Sequence, residues 1–507
     1  MIADTLPNLI LGFSTAFTPI NLLWAILGCF IGTMVGVLPG VGPLAGISLL
    51  LPLTFGLNPT SGLILLCSVY YGAMYGGSTT SILMRIPGES ASVITCIEGY
   101  QMAQKGRAGP ALAICAIGSY VAGTAAVLGL MFVAPPLAKF ALRFGPAEYF
   151  SLLVLGLMLL GYMSGGSVIK NISMIALGLL FGMVGIDVIT GYYRFIYGVA
   201  ALGDGLSIVP VAVGLFGLSE IMATAGDPDR PDAIKPHLRD LVPSKHELKV
   251  SSAPIARGTV LGFLIGVIPG SAHIISTFIS YAMERRLSKY PERFGTGVIE
   301  GVAGPESANN AASTGALVPM LALGVPTGPI PAVLLAALMV HGVTPGPLLI
   351  AEHPVTFWGL IASMYLGNFV LLLLNLPMVG IFVNFLRVPY KYLYPTILML
   401  CIVGVYAVNY SVVDVGIMVV MGVLGYLMRK FEFEAAPAVL GVVLAPIMEV
   451  SLRQALAISD GSYAIFFTRP ISVTFLAGTA ILILLAIVPM FKKMAWREKL
   501  TKAEKEG

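Results

Sequence analysis

Gly28-x3-Gly32-x3-Gly36-Val-Leu-Pro-Gly40 occurs again, 230 residues later, as Gly258-x3-Gly262-x3-Gly266-Val-Ile-Pro-Gly270. In each copy an apolar segment with glycine at every fourth position runs into a Pro-Gly break and then into more apolar sequence. Glycines four apart share one helix face, where missing side chains let a second backbone approach closely. A duplicated, interrupted apolar helix points to the substrate region of a membrane transporter, because unwound backbone at membrane depth must line a cavity or be buried in protein.

Composition agrees with a lipid-embedded chain: 57% of the 507 residues are hydrophobic and 11% are charged. Hydrocarbon offers the backbone no hydrogen-bond partner, and uninterrupted apolar runs of about 20 residues select helices over a barrel, whose strands would alternate. Asp4 is the one charged residue before Arg85, so the positive n-region of a secretory signal is missing, and the first apolar segment is read as part of the mature protein. Cys29, Cys67, Cys96, Cys115 and Cys401 lack metal-ligand spacing and read as small buried apolar residues. The net charge of +4 says little, since the placement of Lys and Arg matters more than their sum.

Apolar segments lie near 20–38, 60–84, 108–134, 147–164, 168–187 and 203–225, and again near 254–268, 272–283, 311–340, 354–378, 391–409, 411–428, 435–450 and 470–490. Between the two sets runs a charged stretch with four prolines, from Gly226 to Ser252. The organisation expected is a first transmembrane repeat at 1–225, a cytoplasmic linker at 226–253, a second repeat at 254–450, an extra C-terminal transmembrane segment at 451–491 and a basic cytoplasmic tail at 492–507. Lys and Arg in the linker and tail assign both to the cytoplasm, whereas the N-terminus is bare of them and is placed in the periplasm. An outside start and an inside linker require an odd number of crossings per half. The fold class expected is therefore an all-α polytopic membrane protein with two inverted-topology repeats, broken or re-entrant helical hairpins, and one further C-terminal helix.

The repeat extends beyond the opening motif. Tyr75-Gly-Gly-Ser-Thr-Thr-Ser81 with Ile86-Pro-Gly88 aligns loosely with Asn310-Ala-Ala-Ser-Thr-Gly-Ala316 and Val325-Pro-Thr-Gly328, and the stretch ending at Glu220 resembles the one ending at Glu449. Four breaks result. Pro39, Gly40 and Gly42 in the first half, and Pro269, Gly270, Ser271 and His273 in the second, remove amide donors and permit reversals, leaving carbonyls and amides free. The alternatives are a plain turn between helices and, for His273, a structural role. The second arms supply Gly77, Ser78, Thr79, Thr80 and Ser81, then Asn309, Asn310, Ser313 and Thr314, with Thr327 at the last break. One or two such hydroxyls would only bond their own helix, whereas four in succession beside Gly-Gly suit a lined site. The candidate substrate-binding set is thus Pro39, Gly40, Gly42, Gly77, Ser78, Thr79, Thr80, Pro269, Gly270, Ser271, His273, Asn309, Asn310, Ser313, Thr314 and Thr327. Ser81, Asn309, Asn310 and carbonyls at the breaks could hold Na+. Helix N-termini facing a shared space suit an anion. The breaks lack a basic residue, so recognition is expected to rest on amides, hydroxyls and a co-bound cation unless Arg85 or His273 turns inward.

Asp187 and Asp204 lack the Gly-x-Gly-Asp arrangement of intramembrane proteases and read as interfacial hydrogen-bonding groups, while Glu220 and Glu449 read as matched helix ends. The sequence has no Walker motif, no metal-ligand pair and no soluble catalytic domain. No catalytic residue and no cofactor beyond a coupling ion, Na+ or H+, is therefore expected, and uphill transport must draw on an ion gradient.

Gly36-Val-Leu-Pro-Gly-Val-Gly-Pro43, Tyr75–Ser81 with Ile86-Pro-Gly-Glu89, and Gly301-Val-Ala-Gly-Pro-Glu-Ser-Ala-Asn-Asn310 with Gly315-Ala-Leu-Val-Pro319 resemble the large membrane subunit of tripartite tricarboxylate transporters, the TctA family. The resemblance runs to about residue 450. It implies cation-driven uptake, commonly with sodium, of a di- or tricarboxylate across a bacterial inner membrane. It also implies two partners, a small four-helix membrane subunit (TctB-like) and a periplasmic solute-binding protein (TctC-like). No nucleic-acid partner is expected, and the sequence is compatible with a homo-oligomer. Pro269-Gly-Ser-Ala-His273 departs from many relatives, which makes His273 a candidate for tuning substrate choice. Citrate, tartrate, shorter dicarboxylates and aromatic carboxylates all fit a polar site of small residues. The competing classes are an intramembrane enzyme using Asp187 and Asp204 or His273, and a channel.

Overall fold

The computed structural model describes residues 2–38, 42–164, 167–187, 190–224, 234, 241–270, 272–385 and 390–486. The readings of Pro39, Gly40 and Ser271, of most of the linker, and of the basic tail lie outside the described residues.

The first half runs α1 (Ile2–Ala16), α2 (Pro19–Val37), α3 (Gly42–Leu50), α4 (Pro59–Met84), α5 (Val93–Gln104), α6 (Ala108–Ala141), α7 (Pro146–Met163), α8 (Val168–Gly182), α9 (Ile208–Ala212) and α10 (Ser219–Thr224), the last two joined by a π-helical turn, Val213–Leu218. The second half runs α11 (Lys245–Gly266), α12 (Ala272–Leu287), α13 (Glu300–Gly315), α14 (Leu317–Leu323), α15 (Pro329–Val340), α16 (Leu349–Glu352), α17 (Pro354–Asn375), α18 (Val379–Phe385), α19 (Tyr390–Asn409), α20 (Val412–Lys430), α21 (Ala435–Ile458) and α22 (Ile465–Thr468). A last apolar helix, α23, spans Pro470–Ala486, within the extra segment expected from sequence. Two-residue strands at Gly185–Ile186 and Tyr193–Arg194 pair as a hairpin, and they are the only strands among the described residues. This is an all-α polytopic membrane protein. Among the described residues, seven helices are long and apolar enough to cross a membrane: α2, α6, α7, α11, α17, α20 and α21.

Helix ends follow from local chemistry. Asn58 accepts from Ser61 N at 2.9 Å with Pro59 at the first helical position, which starts α4, and Arg85 in the left-handed region (φ 60°) stops it. Ser244 and Glu247 form a reciprocal capping box that starts α11. The last nine residues of the stretch expected as linker, 245–253, thus form the first turns of the glycine-ridged helix. α1 also precedes the first expected segment and packs on α17.

Both glycine ridges pack on the second arm of their own half. A Cβ added at Gly28, Gly32 or Gly36 would fall 2.6, 2.3 or 2.2 Å from the carbonyl oxygens of Leu65, Val69 and Ala73 on α4. At Gly258, Gly262 and Gly266 it would fall 2.2, 2.2 and 2.5 Å from those of Gly304, Ala308 and Ala312 on α13. No side chain fits in such a seam. The same register pairs Gly76, against Thr33 O, with Gly315, against Phe263 O. Sequence similarity had aligned Tyr75 with Asn310; the packing aligns it with Thr314, one helical turn further on. Similar Gly/Ser/Thr composition misplaced the alignment, and backbone approach fixes it.

The halves also interlock. α6 packs on α13 and α17 on α4, while α8 packs on α21 and α20 on the π-turn. α4 is buried along almost its whole length and α13 from Gly301 onward, which is why these arms tolerate hydroxyls and amides: protein, not lipid, surrounds them. Apolar side chains such as Val260, Leu264, Met399 and Val420 remain exposed on the outer helices, as a lipid-facing surface requires.

Candidate functional site

The four breaks meet. A cavity of about 480 Å³ is walled by Gly42 and Pro43, by Pro87, Gly88 and Glu89, by Gly270 and His273, and by Pro329 and Ile330, one contribution from each break. The breaks are tied together locally. Gly88 lies where a Cβ would be 2.3 Å from Gly36 O and 2.4 Å from Gly77 Cα, so only glycine lets the chain return against the end of α2. In the second half Gly270 N donates to Thr327 O at 2.7 Å, and Gly270 holds a φ of 143° that favours glycine. α3 starts at Gly42, α12 at Ala272 beside Gly270, and α15 at Pro329, so three helix N-termini border the space. Their dipole ends favour a bound anion.

His273 does turn inward. It lines the cavity, stands edge-on to Tyr70 with ring centroids 6.2 Å apart, and its Nδ1 has no hydrogen-bond partner. Arg85 does not: it is exposed, with its guanidinium 5.9 Å above the Tyr100 ring. The cationic wall residue is instead Arg429, at the end of α20, whose Nη1 donates to Glu220 Oε2 at 2.6 Å. A second chamber of about 790 Å³ shares Leu44, Ser90, Glu220, Ile274, Pro329 and Arg429 with the first and continues past Ser164, Glu432 and Glu434. The Arg429–Glu220 pair thus stands where two chambers join. Arg429 falls one residue beyond the expected segment 411–428 and carries no local signal; only its pairing with Glu220, 209 residues away, marks it.

The remaining expected site residues form a buried polar layer between α4 and α13, behind the cavity wall. Ser78 Oγ donates to Glu306 Oε2 at 2.7 Å. Thr80 Oγ1 donates to Val37 O at 2.8 Å, closing the end of α2, and Thr79 is buried. Ser81 Oγ bonds Gly77 O at 3.0 Å and Ser92 Oγ at 2.9 Å. Gly77 faces the Glu89 stem, its would-be Cβ 2.8 Å from Cγ. Asn309 Nδ2 donates to Glu89 Oε1 at 2.7 Å, and Asn310 Nδ2 to Ser119 Oγ at 2.7 Å and Glu306 O at 3.1 Å. Ser313 and Thr314 bond the carbonyls of Asn309 and Asn310, Thr314 also meets Tyr71 OH at 3.2 Å, and Thr327 Oγ1 donates to Ala316 O at 3.2 Å. Glu306 had drawn no attention as a site residue, although an acid inside an apolar helix was the signal available. A further buried acid, Glu98, has a bracing role: it accepts from Tyr281 OH at 2.8 Å and from the amides of Gly295, Gly297 and Val298.

Asp187 and Asp204 do not form an acid–base pair. Asp187 accepts from both terminal guanidinium nitrogens of Arg453, at 3.1 and 2.8 Å, and Asp204 is exposed. Glu449, the expected counterpart of Glu220, binds Arg194 at 2.7 and 3.0 Å and fastens the hairpin to α21.

Residues 22–440, which include all four breaks and both polar arms, match the model of the tripartite tricarboxylate transporter TctA family. The chain belongs to that family. An uncharacterized 52.8 kDa protein in the TAR-I ttuC′ 3′ region of Agrobacterium vitis is 48% identical over 490 residues, which cover 96% of this chain and 97% of that one. A protein in the TAR-II ttuC′ 3′ region of the same organism is 44% identical over 231 residues, 46% of this chain and 96% of its own length. No solved structure matches. Within this TctA-family chain the matched span begins inside α2 and ends inside α21, leaving α1 and α23 outside it. Family and apolar helices together make it a multi-pass membrane protein.

Proposed function

We propose that this TctA-family chain is the large subunit of a secondary transporter that imports a di- or tricarboxylate across a bacterial inner membrane, driven by a sodium or proton gradient. The observation that carries this reading is the cavity at the meeting of four helix breaks with Arg429 in its wall. A carboxylate bound there would face the N-termini of α3, α12 and α15 and a guanidinium fork suited to two-point contact with it. About 480 Å³ lies within the ordinary range for a small-ligand site.

A periplasmic solute-binding protein would deliver the substrate, and a small four-helix subunit would complete the membrane complex. The placement of Lys and Arg in the linker and tail, and their absence from the N-terminus, supports halves that are inverted repeats, with a periplasmic N-terminus and a cytoplasmic tail. Rocking one half against the other would then open the cavity to each side in turn.

The test is uptake by vesicles containing this chain and its small subunit, supplied with the loaded binding protein. Saturable uptake that needs the binding protein is expected. Undiminished uptake after collapse of the sodium gradient rejects sodium coupling, and non-saturating flux without the binding protein indicates a channel.

A further inference from the structure

Two carboxylates, one in the cavity wall and one behind it, lie without a basic ion-pair partner among the described residues. Glu306 is 1% exposed and accepts from Ser78 Oγ at 2.7 Å and from Thr95 Oγ1. Glu89 lines the cavity and accepts from Asn309 Nδ2 at 2.7 Å. α4 connects them, because the Glu89 stem lies over Gly77 and the next residue, Ser78, is the donor to Glu306.

The charged and titratable groups around the pair do not neutralise it: His273 and Arg429 share the cavity wall with Glu89, but neither bonds it, and Arg429 is held by Glu220 at 2.6 Å. α4 contributes Tyr70 and Tyr75 and ends in the exposed Arg85, α5 contributes Cys96 and Glu98, and α6 contributes Cys115. α11 carries Arg257, but Glu284 of α12 occupies it through hydrogen bonds of 2.9 and 2.5 Å, and Tyr281 of α12 is bonded to Glu98. A carboxylate in such surroundings costs several kcal/mol if left ionised and unpaired, so it takes up a proton or a metal cation.

A second observation points the same way. The Oδ1 atoms of Asn309 and Asn310 are buried acceptors without a donor. Both residues are 1% exposed. Their Nδ2 atoms bond the Glu89 carboxylate and the main chain of Glu306, so both amides adjoin the two acids. Carboxylate, amide and hydroxyl oxygens form a hard-donor set that suits a small cation, and a protonated carboxyl would equally supply a missing donor.

We infer that Glu306 and Glu89 hold the monovalent cation, Na+ or H+, whose binding drives transport, with Glu89 at the cavity and Glu306 at the buried end. The inference rests on the transporter reading. Cation binding lowers the uncompensated charge between α4 and α13 by one unit, and so biases the packing of one half on the other.

The experiment compares concentrative uptake with substrate exchange at equal ion concentrations in the vesicle system above. Glu306→Gln mimics the neutralised carboxyl; exchange is expected to survive while concentrative uptake falls by about tenfold or more. Glu306→Asp keeps the charge and is expected to retain uptake with weaker cation dependence; should Glu306→Gln not reach the membrane, Glu89→Gln carries the same comparison. Concentrative uptake by Glu306→Gln equal to wild type overturns the assignment, as does loss of exchange in a variant that reaches the membrane normally. Absence of any carboxylate uptake by wild type overturns the transporter reading instead. Thermal unfolding of the purified chain with its small subunit reads cation binding without transport. Wild type is expected to be stabilised by Na+ at fixed pH, or by acidification without Na+, whichever names the cation, and Glu306→Gln by neither; equal shifts in both proteins overturn the assignment.

Discussion

Arg429 at the end of α20 reaches across to Glu220 on α10, Nη1 to Oε2 at 2.6 Å, and the pair lies on the wall shared by two chambers. Glu220 presents to Arg429 the same carboxylate chemistry that a substrate would present. If substrate displaces it, Arg429→Gln removes a charge-assisted contact of about 1.5–3 kcal/mol, a rise of about ten- to a hundredfold in KM. Glu220→Gln frees the guanidinium and is expected to lower KM severalfold. Opposite signs for the two variants are the decisive reading of initial-rate uptake; a parallel loss would make the pair a structural brace.

His273 differs in kind, since it lines the cavity with a free ring nitrogen. His273→Asn should leave membrane abundance unchanged and alter the ratio of kcat/KM between dicarboxylates and tricarboxylates by about tenfold, because an unmatched buried polar group discriminates strongly. Identical ratios in variant and wild type would remove His273 from substrate recognition.

The polar layer should respond unevenly. Ser78→Ala removes a donor from Glu306, and Asn310→Ala removes donors to Ser119 and to the Glu306 main chain. Each leaves a buried acceptor short of about 1–3 kcal/mol of compensation. Both are expected to reduce transport with abundance intact. Thr79→Ala should do least, and a larger loss there than at Ser78 would mean that the cavity extends into this layer in another state.

The glycine seams set stability. Gly32→Ala and Gly262→Ala push a methyl to within 2.3 and 2.2 Å of a main-chain carbonyl oxygen, so one helix must move. Each should cost about 1–3 kcal/mol, read as a lower unfolding temperature in detergent. Gly416 on α20 has nothing within 4 Å, and Gly416→Ala should be neutral or stabilise by up to about 1 kcal/mol through helix propensity. Equal effects at all three positions would contradict the seam.

Reading the chain alone reached the membrane class, most helix positions and the breaks, because each rests on neighbouring residues: apolar runs, glycine spacing and Pro-Gly pairs act within a turn or two. It also reached the hydroxyls of α4 and the amides of α13, but could not tell cavity wall from the layer behind it. The sequence alone determined that two glycine-ridged helices end in breaks that must be sheltered from lipid. Tertiary structure decided that the arms align one turn away from their best sequence match, that four breaks share one cavity, and that Arg429 meets Glu220 while Glu306 meets no base among the described residues. Those outcomes depend on how closely two backbones can approach and on which charges lie within a few ångströms across hundreds of residues of chain, and neither is written in local spacing.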